Sequence, residues 1–316
     1  MIGLLARSLR TRLALRTALP RLPRLDPHTT AGRVARSLAA SPGIATASAV
    51  LIVLIAVALL APWIAPQNPY DLAQLSVSDA RLPPFARGGS GHLYLLGSDA
   101  LGRDMLAAML YGLRISLGVG LLAGAVAMTL GTTLGLCAAY FGRTVDALVM
   151  RTVDLLLGFP TILVALMVLA VLGQGVDKVV LALVTVQWAY FARTVRAVAA
   201  VERRKEYMEA ARCLGLGHRR VLFGHLLPNC LPPVIVIGLV QVASAISAEA
   251  TLSFLGIGLP VTRPSLGLLI ANGFQQLLAG NYWISVLPGL LLLTLVFSMN
   301  VVGDSVREAL NPRLQK

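Results

Sequence analysis

Two places in this chain combine residue types and spacing that carry chemistry. The first is the string EYMEAARCLGLGHRRVLFGHLLPN, residues 206–229, a charged and glycine-punctuated island between two long apolar runs. Within it Glu209 offers a carboxylate to basic or backbone donors, while Ala210 and Ala211 keep the surface around it thin enough to enter a groove. That is the chemistry of docking, with no bond broken. The second place is Glu249, the one acidic residue well inside an apolar run. An ionised carboxylate at the bilayer centre costs about 2.5–3.5 kcal/mol on insertion scales, so Glu249 must face a helix contact or a wet cavity. Two readings of it stand: a pathway or gate residue, or a satisfied interhelical hydrogen bond near the outer end of its helix.

Catalytic chemistry has no such foothold. No stretch reads Gly-x-x-x-x-Gly-Lys-(Ser/Thr), the loop that cradles nucleotide phosphates. Nor is there a His-Glu-x-x-His, a cysteine pair at metal spacing or a Gly-x-Ser-x-Gly elbow. The histidines, His28, His92, His218 and His225, are scattered over loops and a tail, and none is assigned a metal. Cys137, Cys213 and Cys230 form no paired framework, and the last two fall on the expected reducing side.

The elements that must position these groups follow from composition. With 57% hydrophobic and 13% charged residues in 316, the apolar stretches are too long for a globular core to cover. A helix needs about 20 apolar residues to cross the hydrocarbon layer. Six runs approach that length, at 44–64, 115–140, 155–172, 179–199, 234–258 and 284–303, which predicts an all-α polytopic membrane protein with six transmembrane helices. The third run contains Pro160, expected to kink it. In the second, Gly120/Gly124 and Gly131/Gly135 form small-xxx-small pairs that let a neighbouring helix approach closely, with a helix of the same chain the expected neighbour.

The net charge of +13 follows sidedness. Of the 27 Lys and Arg, 8 precede the first run, 2 lie in 141–153, 8 surround the island and 3 close the chain, against 6 elsewhere. Basic residues are retained in the cytoplasm during insertion, so both termini and the island face inward. Arg193 and Arg196 are expected to snorkel to the inner headgroups. Nucleic acid is excluded as a partner, because the arginines are spread over separate loops with no aromatics interleaved. The Arg-rich start resembles a transit peptide in composition, yet a basic cytoplasmic tail explains it without cleavage.

The domain reading is therefore a basic tail (1–43), a first span (44–64), an outer segment with a short helix (65–113), a five-helix core (114–304) that includes an inward loop (200–233), and a short tail (305–316). In the outer segment, Ser98 or Asp99 is expected to cap a helix starting near Ala100, with Asp104 in its early turns suiting the helix dipole. In the inward loop, a helix is expected from Glu206 to Leu214. Gly215 and Gly217 supply residues that tolerate positive φ, and Pro228, Pro232 and Pro233 end the loop.

The spacing of Glu209, Ala210, Ala211, Gly215, Leu227 and Pro228 resembles the Glu-Ala-Ala loop of bacterial ABC importer permease subunits. His225 departs from the broad pattern, which has an aliphatic residue there, while HLLPN resembles the branch that moves di- and oligopeptides or nickel. The segment LLGSDALGRDMLAAMLYGLRISLGVG resembles that branch too, through Gly97, Asp99, Gly102, Arg103 and Asp104, a candidate contact for a substrate-delivering protein. So do the string around Glu249, the outer segment from Gly258 to Gly273 and the Asn311-Pro312-Arg313 tail. The resemblance covers about Leu95 to Arg313. It implies a type I importer permease in the bacterial inner membrane, half of a pore, with no cofactor of its own. Its implied partners are a second homologous permease, two ATPase domains that bind ATP and Mg, an extracytoplasmic solute-binding protein, a peptide substrate and membrane lipid. Nickel or another small solute is the alternative cargo. From other classes, an ion-coupled secondary transporter would need intramembrane ionisable groups beyond Glu249, and a structural membrane scaffold would move no solute.

Overall fold

In the computed structural model, residues 32, 36–39, 41–71, 75–89 and 91–310 are described. Most of the basic tail, including His28, and the Asn311-Pro312-Arg313 string lie outside them. The architecture is helical throughout, apart from a two-residue antiparallel pair, β1 (Ala86–Arg87) with β2 (Leu93–Tyr94), in the outer segment.

The first helix, α1 (Pro42–Ile64), is capped by Ser41, whose hydroxyl accepts from the Ile44 N–H. It lays the small residues Ala47, Ala58 and Ala61 against its neighbours and leaves Ile52, Leu59 and Trp63 outward. α2 (Met105–Phe141) is 37 residues long, about 55 Å at 1.5 Å per residue, and overshoots a bilayer core. The expected separate helix near Ala100 does not form. Asp104, not Ser98 or Asp99, is the N-cap, and its Oδ1 accepts from the Ala107 N–H at 3.0 Å. The helix therefore starts ten residues earlier than its apolar run, because the cap and not hydropathy decides where it begins.

The third run is not one straight helix. α3 (Arg143–Leu157) and α4 (Thr161–Leu172) meet at a 92° bend over Gly158-Phe159-Pro160. Pro160 stands at the N-cap of α4, so the expected kink is a complete break. α5 (Val176–Glu202) follows, then α6 (Glu206–Cys213), and α7 (His218–Phe254) with a π-helical turn at Val221–Leu226. α8 (Leu266–Phe274) and α9 (Trp283–Leu310) close the described chain. Among the described residues four helices are long and apolar enough to cross a membrane, α1, α2, α7 and α9, or five spans if the bent pair counts as one. α5 has the length but carries Asp177, Lys178, Arg193 and Arg196.

α2 and α5 form the central pair of the bundle, with α7 against both. The glycines of α2 are the reason they approach so closely. A Cβ at Gly131 would lie 2.2 Å from the Trp188 carbonyl oxygen, and one at Gly135 would lie 2.6 Å from that of Ala192, both on α5. Gly120 and Gly124 meet Ile246 and Val242 of α7 in the same way. The neighbour is thus intrachain, as expected. Between these helices and α4, Val119, Ala123, Leu136, Leu169, Leu183 and Phe191 make the main core.

Candidate coupling site and outer polar network

The elbow between α5 and α7 is built by one capping device. Helix α6 ends in a Schellman motif: the Gly215 N–H donates to the Arg212 carbonyl (3.0 Å) and the Leu216 N–H to that of Ala211 (3.2 Å). Gly215 takes φ +68°, as the motif requires of its left-handed residue. Gly217 does not share that role. Its φ is −60° in an extended conformation, one residue ahead of α7.

Met208 and Ala211 face inward and are buried, while Glu209 and Ala210 are exposed. The two alanines therefore serve opposite faces: Ala211 seats the elbow on the core, and Ala210 keeps the outer surface shallow beside the Glu209 carboxylate. The exposed side continues through Arg212, Cys213 and Leu214, and Leu214 is 77% exposed.

The prolines do not end the loop. Pro228, Pro232 and Pro233 lie inside α7, which starts ten residues before the first of them. The widened turn at Val221–Leu226 sits directly upstream of Pro228, where an α-register would drive the ring into the carbonyl four residues back. Leu227 packs against the main core and Pro228 is exposed.

Several contacts of the elbow carry no motif in the sequence. Tyr207 donates to Glu202 Oε2 at 3.1 Å and accepts from Asn229 Nδ2 at 3.3 Å, tying α6 to α5 and α7. Burial and the Glu202 carboxylate push the Tyr207 hydroxyl up to about 12. Arg203 reaches the last carbonyls of α2, and Tyr140 meets His218 Nδ1 at 2.8 Å.

In the outer segment, Gly97 (φ +82°) and Gly102 (φ +76°) turn the chain where a Cβ would strike the carbonyl oxygens of Leu82 and Ser76. Asp99, Arg103 and Asp104 are buried at 2%, 1% and 1% exposure, so they knit the segment together and present no surface. Asp99 Oδ1 accepts from the Leu101 and Arg103 N–H groups, and burial pushes its carboxyl up against these opposing bonds. Arg103 Nη2 donates to the Val261 carbonyl at 3.0 Å, and Asp104 Oδ2 lies 3.1 Å from His92 Nε2. A second knot is centred on Asp79, which accepts from the Gly89 N–H and from Tyr94 Oη.

Glu249 is fully enclosed. Its Oε2 accepts from Ser116 Oγ of α2 at 2.8 Å and its Oε1 from Ser253 Oγ at 2.7 Å. One carboxylate thus joins α2 and α7. Arg193 and Arg196 do more than reach for headgroups: Arg193 pairs with Asp154, and Arg196 grips Asp146 through Nε (2.9 Å) and Nη2 (2.6 Å). Asp146 and Asp154 stand eight residues apart on one face of α3, a spacing legible in the sequence.

The described residues thus form a glycine-seamed helical bundle with a broken third run and an exposed elbow between α5 and α7. The chain superposes on the permease fold of a structure described as inward facing conformations of the MetNI methionine ABC transporter, with TM-score 0.52 and 19% identity over 66% of this chain and 98% of that one. Residues 131–316 match the family of binding-protein-dependent transport system inner membrane components, and residues 30–84 match the N-terminal TM domain of oligopeptide transport permease C. The chain belongs to this family of membrane-embedded transport subunits. It is 36% identical over 268 residues to the dipeptide transport system permease protein DppC of Haemophilus influenzae, covering 84% of this chain and 89% of that one. A putative peptide transport system permease protein of Brucella suis is 39% identical over 265 residues, 84% and 86% of the two chains. The dipeptide transport system permease protein DppC of Escherichia coli is 36% identical over 267 residues, 84% and 87%.

Proposed function

We propose that this chain is one permease of a peptide importer, in which partner subunits hydrolyse ATP and the elbow carries their motion to the spans. The observation that carries the reading is the exposed face of α6, where Glu209 and Ala210 stand outward on a knob closed by Gly215 and seated by Met208 and Ala211. Peptide as cargo is supported by the names of relatives that cover most of both chains. A second, homologous permease completes the pathway, and an external binding protein delivers the solute to the outer face. Closure of the ATPase pair around bound ATP and Mg pushes the elbow. Because α6 is tied through Tyr207 to α5 and α7, that push tilts both helices together. The excess of Lys and Arg on the elbow side supports cytoplasmic termini.

The test is ATP-dependent dipeptide uptake in proteoliposomes holding the whole assembly, combined with copurification of the ATPase. Gly215→Pro and Glu209→Lys are expected to leave the protein inserted and to abolish uptake. Undiminished transport by both variants would refute the coupling role of the elbow.

A further inference from the structure

Between α3 and α5 lies a pocket of about 380 Å³, within the roughly 300–1,000 Å³ range of small-molecule sites, lined by Asp146, Met150, Arg151, Asp154, Arg193 and Arg196. Arg193 stands nine residues before Glu202, the last residue of α5, about 13 Å along that helix from its end. The Arg193 and Asp154 side chains are 51% and 65% exposed. Charged groups so exposed face water or a neighbouring chain and not lipid.

The charges of the pocket do not cancel. Arg196 and Asp146 are closed on one another by two hydrogen bonds. Arg193 holds Asp154 by one, and Arg151 makes no ion pair among the described residues. What remains open to an incoming solute is two guanidinium groups and one carboxylate, with the apolar Met150 between them. Beyond the bend the exposed face of α4 is apolar, with Leu163, Met167 and Val171 in line, so the polarity is confined to this pocket.

We propose that this pocket is an inner station for the main-chain charges of the transported peptide. Arg151 and Arg193 take the substrate carboxylate in forked hydrogen bonds, and Asp154, released from Arg193, takes the substrate ammonium group. A zwitterion replaces the Arg193–Asp154 pair with two pairs of the same kind, so neither protein charge is stranded when the solute enters or leaves. Side chains of the peptide are left to the apolar walls, which accounts for cargo of one backbone chemistry and varied side chains. The proposal rests on the peptide-importer reading above and adds to it the site and the recognised groups.

The experiment uses inside-out membrane vesicles containing the complete transporter, with Cys213→Ser and a reporter Ala197→Cys at the pocket wall. A membrane-impermeant, charged thiosulfonate should modify the reporter rapidly. Alanyl-alanine should slow modification severalfold, and the same dipeptide with an amidated C-terminus should not. Arg151→Gln should remove the protection and Arg151→Lys retain part of it, a distinction that loss of packing would not make. An unreactive reporter would mean that the face is lipid-covered and would overturn the proposal, as would protection indifferent to the C-terminal carboxylate. In either case, ATP-dependent dipeptide uptake by the same transporter would leave the importer reading standing. Absence of that uptake in the unsubstituted transporter would sink both.

Discussion

Arg203, at the end of α5, donates from Nη1 to the carbonyl oxygens of Ala139 (2.5 Å) and Tyr140 (3.1 Å), in the last turn of α2. A cation at a helix C-terminus meets carbonyls that have no intrahelical donor, so this contact satisfies α2 and anchors the start of the elbow together. The ends of the two helices of the central pair are therefore tied together where α5 leads into the elbow.

Arg203→Ala is expected to lower the stability of the assembly by about 1–2 kcal/mol, the scale of a charge-assisted capping contact. Uptake should fall more than binding of the ATPase, because the proposed docking surface is the exposed face of α6, which Arg203 does not join. Thermal unfolding in detergent and copurification of the ATPase measure the two effects.

Substitution along α2 should sort by what each glycine faces. A Cβ at Gly131 meets the Trp188 carbonyl oxygen at 2.2 Å, so Gly131→Val should force α2 from α5 at a cost of about 1–3 kcal/mol or more. Gly118 has nothing within 4 Å, and Gly118→Ala should be neutral or stabilising by up to about 1 kcal/mol. Melting temperatures of the two variants, purified in parallel, decide the matter.

Glu249→Gln should reduce stability by about 1–3 kcal/mol, since the amide NH2 faces a serine hydroxyl that had been donating to a carboxylate. Uptake per molecule in the membrane should stay close to that of the unsubstituted chain, as the enclosure of Glu249 supports a structural role. A large loss of uptake at normal abundance and normal melting temperature would restore the gate reading.

The outer segment should loosen in alkali. Burial, and then the Asp79 carboxylate, push the Tyr94 hydroxyl up to about 12 from its ordinary 10.0. A raised folded value favours the protonated form, so its contribution is complete below about pH 10 and is lost as pH rises from there to about 12. Tyr94→Phe should abolish that part of the pH dependence, as followed by proteolytic nicking of the outer segment between pH 9 and about 12.

Much of this protein is legible in its sequence because lipid imposes simple rules. Apolar runs, the bias of basic residues and the spacing from Glu209 to Pro228 depend on local composition, and from them come the helical membrane class, the exposed elbow and its left-handed Gly215. Helix boundaries were less legible. Asp104 caps α2 well before its apolar run, Pro160 breaks a run that reads as continuous, and Pro228, Pro232 and Pro233 are absorbed into α7, since capping and packing outweigh local propensity there. Only the tertiary structure decided which charges meet. Glu249 with Ser116, Arg196 with Asp146 and Arg203 with the end of α2 are separated by 133, 50 and 64 residues. The packing of helices far apart in sequence sets such partnerships, and no local pattern encodes the distance between two helices.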